Sequence, residues 1–471
     1  MNQLLRQDLN KVDAFLQEVK DYSVSFLSEL DALPVKSASA TFERLELPRK
    51  GMGAKNTLLQ FRERYGQHLA GNSGARNWGF VTGGATVPAI AGDWLTAVFD
   101  MNAADKDTAP LQIETETIAM LRQLFGLPDA FSGCFVTGAT MANFAGLAIA
   151  RQWLGNQLGA DVAQEGMAAL ADAKIISCTP HSSTIKSLAM LGFGRNAILK
   201  LSSLPEREAI DIDVLEDHLK AHKGAPLIVV ASAGTVNTVD FDDLAAIARL
   251  KEKYGFWLHV DAAFGAFAAC VPEYKHLLDG WEAADSITID AHKWLNVPYD
   301  AAMIFTRHPQ LQLDTFKNAG AAYLGDPAKD FKYSNYTPEN SRRLRALPAW
   351  YSLVAYGADV YADIVNNNIQ LARQLGTLIE ENDAFRLLAP VRLCVVCFTL
   401  NVADEEKQAA TDALLKALDE GGKVMLTSTV YQGVPAIRAA LVNWRTTAHD
   451  LAIVWEEIKR QVTALTVNSH P

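Results

Sequence analysis

Short apolar runs alternate with longer segments of helical periodicity between about residues 110 and 310 of this chain. The apolar runs are, in order, GCFV, AKIISC, PLIVVASAG, FWLHVD, SITID and AAMIFT. Amphipathic segments such as MANFAGLAIARQWL and FDDLAAIARLKEKYG lie between them. Continuous apolar strands separated by helices are typical of a parallel sheet that is covered on both faces. The pattern therefore predicts an α/β protein with a mostly parallel central sheet and helices on both faces.

The chain is 471 residues long, which allows more than one domain. Residues 1–75 begin with an amphipathic helical pattern and continue into a loop-rich segment, so they are predicted to form an arm that packs on another domain or subunit. Residues 76–340 contain the alternating pattern and are predicted to form a large α/β domain. Residues 341–471 begin with a long helical stretch and pass into short strands and helices, which predicts a smaller α+β domain.

Composition and charge argue against several classes of partner. The formal net charge is −11 and is spread along the chain, whereas nucleic acids and anionic membranes attract concentrated Lys and Arg. No apolar run approaches the ~20 residues of a membrane span, and the N-terminus lacks the apolar core of a signal peptide. A cytoplasmic protein without nucleic-acid or membrane partners is expected.

The five cysteines predict neither a disulfide framework nor a metal site. They are few and irregularly spaced. Cys394 and Cys397 form a C-x-x-C, but they lie in a predicted strand, where positions three apart face opposite sides. No second C-x-x-C or nearby His pair completes a zinc site.

Polar residues follow several of the predicted strands. They are Thr137–Thr140, His181, Thr235, Asp261 and His292–Lys293, each after a different apolar run. Open α/β sheets bind ligands beyond the carboxyl ends of their strands. These residues are therefore candidates for one shared site.

Lys293 and Asp261 together indicate a cofactor. A lone lysine after a strand is commonly a solvated surface residue, but a desolvated lysine loses its proton readily and can form a Schiff base. Asp261 ends an apolar strand, where it would either cap a helix, pair with an arginine, or keep a heteroaromatic nitrogen protonated. Ala263 is small enough to let a flat ring lie against the strand. An aspartate at one strand end and a lysine after the next predict pyridoxal 5'-phosphate.

A phosphate cradle is predicted in FVTGATMAN. The strand turns through Gly138 and Ala139, and a helix opens near Thr140. Backbone N–H groups at a helix N-terminus bind phosphate well, although the same turn is also common as an ordinary strand-to-helix connection. His292 is a candidate for a further donor to the phosphate.

Two further residues have an ordinary and a functional interpretation. His181 either caps a helix or stacks on the ring face opposite Ala263, where it would also help to position the substrate. Thr235 either has no special role in its loop or steadies the ring or Asp261 through its hydroxyl group.

The order of these motifs closely resembles that of the group II pyridoxal-phosphate-dependent decarboxylases, which include aromatic L-amino acid, histidine, tyrosine and glutamate decarboxylases. The motifs are T-G-A-T-M-A-N, P-H-S-S-T-I-K, A-G-T-V-N-T, H-V-D-A-A-F-G and D-A-H-K-W. The resemblance runs from about residue 77 to 450. It includes NWGFVTGGATVPAIAGDWL near its start and SRRLRALPAW after the lysine.

The resemblance implies fold type I of the pyridoxal-phosphate enzymes and an obligate homodimer with its active sites at the subunit interface. It implies that Lys293 forms the Schiff base, that Asp261 contacts the pyridine nitrogen and that His181 stacks on the ring. Ala139, Thr140 and His292 would hold the phosphate. The implied reaction converts an L-amino acid to the amine and CO₂.

The family also implies a tyrosine that returns a proton to the substrate carbon from a mobile loop after the lysine. Counting back without gaps from SRRLRAL places Tyr333 at that position. Tyr336 is the alternative, and the other interpretation of either residue is a loop tyrosine without a chemical role.

Some positions depart from the family pattern. Met141 stands where many relatives have Glu, and Asp290 stands where aromatic decarboxylases tend to have Asn, so a negative charge is expected near the phosphate. FVTGGAT replaces the aromatic and proline residues that shape the pocket of aromatic decarboxylases. Aromatic or other hydrophobic amino acids are the predicted substrates.

Other activities on the same scaffold stay open. Arg438 could bind the substrate carboxylate of an aminotransferase, but decarboxylation benefits from a poorly stabilised carboxylate, and the motif order is that of a decarboxylase. An aldehyde-forming, oxygen-using reaction or a carbon–carbon lyase would fit if the loop tyrosine is not the proton donor. A non-catalytic homologue fits less well, because the Lys–Asp–His set is intact.

Overall fold

The structure, a computed structural model, describes residues 1–37, 39–103, 108–318 and 330–468. The α-helices are α1 (Gln3–Leu9), α2 (Val12–Ser28), α3 (Ala54–Tyr65), α4 (Val87–Phe99), α5 (Ala109–Leu124), α6 (Ala139–Gln157), α7 (Val162–Glu165), α8 (Ser182–Met190), α9 (Ile212–Ala221), α10 (Leu244–Tyr254), α11 (Pro309–Phe316), α12 (Ala346–Glu380), α13 (Lys407–Gly421) and α14 (Ala448–Asn468). The strands are β1 (Ser132–Val136), β2 (Lys174–Ser177), β3 (Ile198–Lys200), β4 (Leu227–Ser232), β5 (Trp257–Asp261), β6 (Ser286–Asp290), β7 (Ala302–Thr306), β8 (Phe385–Leu387), β9 (Val395–Leu400), β10 (Thr427–Tyr431) and β11 (Val434–Ala440).

A seven-stranded sheet forms the centre of the molecule, in the order β1-β7-β6-β5-β4-β2-β3. Strands β6, β5, β4, β2 and β3 are parallel, and β7 runs antiparallel to both of its neighbours. The predicted α/β fold with a mostly parallel sheet is confirmed. Each predicted apolar run forms a strand, and β3 is an additional edge strand.

The strands are parallel because helices return the chain across the sheet between them. All six residues of β4 are buried, as expected for a strand covered on both faces. Helices α9 and α10 begin at Asp211 and Asp243, whose side chains accept backbone N–H groups of the first turn. The carboxyl ends of β2, β4, β5 and β6 consequently meet at one edge.

A second, antiparallel sheet has the order β10-β11-β9-β8 and packs against α13 and α14. Cys397 lies in β9 and Cys394 just before it, and both are buried free thiols. The predicted smaller α+β domain is therefore present. The predicted domain boundary at residue 341 stays a prediction. Trp78, before this position, packs in the core of the second sheet, and the start of α12, after it, packs in the core of the central sheet.

The N-terminal arm has little core of its own. Helices α1, α2 and α3 contain no buried residue, and Leu5 and Leu9 are 62% and 60% exposed. Beyond the helices, the Val35 N–H donates to the Gly422 carbonyl and ties the arm to the second sheet. That residues 1–75 form an arm that packs on another domain or subunit stays a prediction.

Among the described residues, we find no helix that is both long and apolar enough to cross a membrane.

Candidate active site

A cavity of about 600 Å³ opens at the carboxyl ends of the parallel strands. Seven of the residues predicted from the sequence line it, namely Ala139, His181, Thr235, Asp261, Ala263, His292 and Lys293. They come from the ends of different strands and from the starts of the helices that follow. The fold thus brings together most of the predicted site.

Lys293 is enclosed at the wall of this cavity. Its side chain is 18% exposed, and its Nζ lies 3.0 Å from Asp290 Oδ2 and 5.4 Å from the centre of the Phe264 ring. A Cβ atom on Gly83 would lie 1.6 Å from the Lys293 carbonyl oxygen, so the GFVTGGAT segment packs directly on the lysine turn. Lys293 is therefore not a solvated surface residue.

Asp261 is the last residue of β5 and presents its carboxylate to the cavity. Its Oδ2 accepts a hydrogen bond from Asn143 Nδ2 at 2.9 Å, and its Oδ1 accepts one from the Ala263 N–H at 3.2 Å. Both donors are neutral, and Ala263 follows on the same wall. A cationic ring N–H in the cavity would complete the bonding of this carboxylate.

His181 caps a helix and also lines the cavity, while its stacking on a cofactor ring stays a prediction. It is the N-cap of α8, because its Nδ1 accepts the Ser183 N–H at 3.2 Å, and its ring also lines the cavity. Burial is the largest influence on the imidazole and lowers the pKa of His181 below its ordinary value of 6.5. The imidazole is accordingly neutral at pH 7.

Asp290 connects three parts of the site. Its Oδ1 accepts the Ala139 N–H at 2.8 Å and lies 3.4 Å from His292 Nε2, while its Oδ2 pairs with Lys293. The acid thus takes the first amide of α6, one of the donors predicted for the phosphate. Its negative charge is compensated by the lysine and by the helix N-terminus.

The predicted phosphate cradle is only partly exposed to the cavity. Ala139 and His292 line it, whereas Gly138, Thr140 and Asp290 do not. A Cβ atom on Gly138 would lie 3.3 Å from His292 Cε1, so the small residue lets the turn approach the imidazole. Burial lowers the pKa of His292, and its Nδ1 accepts the Ala301 N–H at 3.3 Å, which leaves Nε2 as the donor.

Thr235 lines the cavity but does not bond to Asp261. Its hydroxyl donates to Glu208 Oε2 at 2.5 Å, and Asn237 and Thr238 donate to the same carboxylate. The hypothesis that this hydroxyl steadies Asp261 is therefore not supported, because its hydrogen points to Glu208. Arg438 stands at the same wall and donates to the Val236 carbonyl at 2.6 Å.

The two loop tyrosines lie away from the cavity of their own chain. Tyr333 is 3% exposed, its ring lies 5.1 Å from the Arg342 guanidinium, and its hydroxyl is 3.4 Å from Thr115 Oγ1. Burial raises the pKa of this phenol. Tyr336 packs on Phe331 and does not line the cavity. Their role as proton donors stays a prediction that this chain alone does not support.

Sequence reasoning missed two residues of the site. Tyr299 lines the cavity six positions after Lys293, with its ring 4.3 Å from that of His292. Asn143, the partner of Asp261, is fully buried in α6. An amide in the apolar run MANFAGLAIA was the signal that would have pointed to it.

Comparison with known proteins identifies the family. Residues 75–401 match the model of the pyridoxal-dependent decarboxylase conserved domain. The chain belongs to the pyridoxal-dependent decarboxylase family. It is a pyridoxal-phosphate-dependent carboxy-lyase, and the resemblance found in the motifs is confirmed.

The chain is similar to curated relatives and solved structures over half to nearly all of its length. An aromatic-L-amino-acid decarboxylase from Bacillus atrophaeus is 28% identical over 477 residues, which cover 98% of this chain and 95% of the relative. A phenylacetaldehyde synthase from Petunia hybrida is 30% identical over 254 residues, covering 51% of this chain and 50% of the relative. The crystal structure of Oryza sativa TDC with PLP and tryptamine superposes with a TM-score of 0.89 at 22% identity, covering 97% and 98% of the two chains.

The residues of this decarboxylase fit pyridoxal phosphate. Lys293 could bind the aldehyde, and the Asp261 carboxylate, 2.9 Å from the buried Asn143 amide, could pair with the ring nitrogen. The N-terminus of α6 and the neutral imidazole of His292 could bind the phosphate. Asp290 is an anionic group on the phosphate side, and Lys293 pairs with it.

Proposed function

We propose that this enzyme decarboxylates an L-amino acid with an aromatic or other hydrophobic side chain, releasing the amine and CO₂. One observation carries the proposal, namely that Lys293, Asp261 and His181 line a single cavity at the carboxyl ends of the strands. A lysine, an acid and an imidazole in this arrangement suit the binding of a pyridine aldehyde.

Different residues would bind different parts of the cofactor. Lys293 would bind its aldehyde, Asp261 would accept the ring N–H, and the His181 imidazole would cover the ring face opposite Ala263. Ala139 would face the phosphate from the start of α6, and His292 would face it from the turn after β6. Pyridoxal phosphate bound in this way would supply the electron sink for cleavage of the carboxylate bond.

Asp290 is positioned to accept a proton from Lys293. Lys293 reacts with a carbonyl only as the neutral amine, so its ammonium must first lose a proton. Asp290 Oδ2 is 3.0 Å from Lys293 Nζ, within reach of that proton. The same carboxylate holds the ammonium in place before cofactor binding.

The apolar part of the cavity wall supports the proposed substrate class. Phe80, Val81, Phe264 and Tyr299 line the cavity, and the first two belong to the segment that packs on Lys293. Burial of an aromatic substrate side chain against these groups would stabilise the complex. The similar Bacillus atrophaeus enzyme is named for aromatic L-amino acids, which agrees with this wall.

Aldehyde formation is the second candidate, because one of the similar proteins is named for it. Neither Tyr333 nor Tyr336 lines the cavity of its own chain, and a phenylacetaldehyde synthase is among the similar proteins. Such a reaction consumes O₂ and water and gives the aldehyde, CO₂, ammonia and hydrogen peroxide. A tyrosine placed to protonate the substrate carbon would suppress it.

A panel of carboxyl-labelled L-amino acids separates these reactions. We expect CO₂ and the corresponding amine in equal amounts from aromatic or large apolar substrates, and neither product from Lys293→Ala. Equal amounts of aldehyde and peroxide in place of the amine would favour the second candidate. Transfer of the amino group to a keto acid without CO₂ release would contradict both and favour the aminotransferase, with Arg438 as the carboxylate-binding residue.

We further propose that the working unit is a homodimer with the cavity at the subunit interface. Phe80 and Tyr299 line the cavity, yet both are 60% exposed in the single chain. The arm exposes further apolar side chains, among them Leu5, Leu9 and Leu47. A second copy that covers these groups would also close the cavity to water.

A further inference from the structure

A continuous line of hydrogen bonds runs under the sheet edge to Asp261. Trp257 Nε1 donates to Ser286 Oγ at 3.1 Å, Ser286 Oγ lies 2.8 Å from His259 Nδ1, and His259 Nε2 lies 2.8 Å from Asn143 Oδ1. Asn143 Nδ2 then donates to Asp261 Oδ2. Apart from the carboxylate at its end, every member of this line is fully buried.

The pairing of β5 and β6 explains why these residues meet. Positions 257, 259 and 261 lie on one face of β5, and positions 286, 288 and 290 lie on one face of β6. The register sets His259 beside Ser286 and Asp261 beside Thr288. Helix α6 packs on both strands and places Asn143 between them.

The direction of each bond in the line is determined. A carboxylate only accepts, so Asn143 donates to Asp261 through its Nδ2, and its Oδ1 must accept from His259 Nε2. Ser286 must donate to His259 Nδ1, and His259 must carry its proton on Nε2. Burial lowers the pKa of His259 to about 4, so the imidazole remains neutral at pH 7.

The Asn143 amide serves a second branch that ends at His181. Its Nδ2 also donates to Ser183 Oγ at 3.1 Å, and Ser183 Oγ lies 2.7 Å from His181 Nδ1. Its Oδ1 also accepts from Thr288 Oγ1 at 2.8 Å. All four hydrogen-bonding positions of the amide are therefore used, and rotating it by half a turn would set its oxygen against the Asp261 carboxylate and its NH₂ group against the His259 N–H.

We propose that Asn143 is the positioning residue that aligns both cofactor-ring contacts, Asp261 at the ring nitrogen and His181 at the ring face, and that His259 holds its amide in the required orientation. The inference rests on the proposed function of the site and adds to it. A hydrogen bond donated to an ionised carboxylate stabilises the anion, so Asn143 would help Asp261 to keep the ring nitrogen protonated. The four bonds of the amide also hold both contacts in fixed positions without any charged group.

Asn143→Asp tests the proposal with almost no change in shape. The new carboxylate still accepts from His259 and Thr288, but it presents an acceptor to Asp261 where the amide presented a donor. Asn368→Asp is the matched control, since Asn368 is equally buried but is bonded to Trp294 and Asn443.

The readouts are the affinity for pyridoxal phosphate and the ¹⁵N resonance of cofactor labelled at the ring nitrogen. We expect Asn143→Asp to weaken binding by about tenfold to a hundredfold, since a hydrogen bond to a charged group is lost. Its ring-nitrogen resonance should move toward that of unprotonated pyridine. Asn368→Asp should lower the melting temperature while leaving the resonance where it is in the wild type.

If Asn143→Asp does not fold, variants of His259 test the same proposal. His259→Gln keeps a donor and an acceptor and should retain the wild-type resonance, whereas His259→Leu should move it in the direction expected for Asn143→Asp. Wild-type affinity and resonance in both Asn143→Asp and His259→Leu would overturn the inference and leave the proposed function intact. Failure of the wild-type protein to bind pyridoxal phosphate would instead overturn the proposed function.

Discussion

Asp261 and Asp290 end neighbouring strands on the same face, but their contacts give them different tasks. Asp261 accepts hydrogen bonds from two neutral donors, Asn143 and the Ala263 N–H. Its carboxylate is therefore available to pair with a cationic group in the cavity. Asp290 forms an ion pair with Lys293 and accepts a hydrogen bond from the N-terminus of α6. This explains how an acid is tolerated at a position where a phosphate is also expected.

The buried imidazole of His259 should make stability depend on pH. Its pKa is about 4 in the folded protein and about 6.5 when unfolded. The unfolded chain binds the proton first as pH falls, so this group should remove about 2 kcal/mol of unfolding free energy between about pH 7.5 and about pH 5. The contribution is complete above the unfolded pKa and declines below it.

Urea unfolding of the cofactor-free wild type and His259→Gln across this pH range measures the effect. The stability difference between the two proteins should change by about 2 kcal/mol across this range, because glutamine does not titrate. Parallel curves at every pH would show that His259 does not change its charge on unfolding.

Single site residues could be predicted where a polar residue ends or follows a strand, but not where a buried polar residue acts through contacts made only in the fold. Lys293, Asp261 and His181 were found because each follows a strand at the ligand-binding edge. Asn143 and His259 were missed, although polar residues alternate with apolar ones in WLHVD and SITID, because only the three-dimensional register brings them to Asp261.

At the level of elements, a buried ion pair explains the SRRLRALPAW motif. Arg342 forms two hydrogen bonds, of 2.7 and 2.9 Å, to Glu114 on α5, and both side chains are 1% exposed. Glu114 also accepts the Phe135 N–H of β1, and Arg342 donates to the Phe135 carbonyl. The pair thus joins α5, β1 and the segment before α12.

Arg342→Met should cost about 3–5 kcal/mol of unfolding free energy, because it leaves the Glu114 carboxylate buried without its partner. Adding Glu114→Leu should restore part of that loss. Arg343→Met is the control, since its pair with Asp93 is partly exposed and should contribute about 1 kcal/mol or less. Equal effects of Arg342→Met and Arg343→Met in urea unfolding would contradict this account.

Element prediction succeeded for the strands and was less informative for the loops. Continuous apolar runs specify buried strands, and every predicted run forms one. The antiparallel direction of β7 could not be read from AAMIFT, because direction depends on the connection and not on the apolar pattern. The positions of Tyr333 and Tyr336 depend on packing under Arg342 and on Phe331, which a residue count does not reveal.

For the whole molecule, the sequence predicted the main α/β sheet, the smaller α+β region and the edge at which the site lies. It left the substrate open, because the cavity wall combines Phe80, Tyr299 and Arg438 from three distant segments. Only the assembled fold shows that aromatic and charged groups border the same space.

The proposed homodimer should give a doubled mass in sedimentation. Leu5→Glu with Leu9→Glu places two charges on the exposed apolar face of α1 and should weaken the dimer and the binding of cofactor. Gln3→Glu with Gln7→Glu adds the same charge to exposed polar positions of the same helix and should have little effect. A monomeric wild type with full activity would contradict the proposed interface.

The most direct test of the central claim maps the cofactor on the chain. Pyridoxal phosphate is added, the protein is reduced with borohydride and digested, and the modified peptide is identified by mass spectrometry. We predict a phosphopyridoxyl group on Lys293 and none in Lys293→Ala. Modification of Lys200, the other lysine that lines the cavity, or of no cavity lysine at all, would contradict the account.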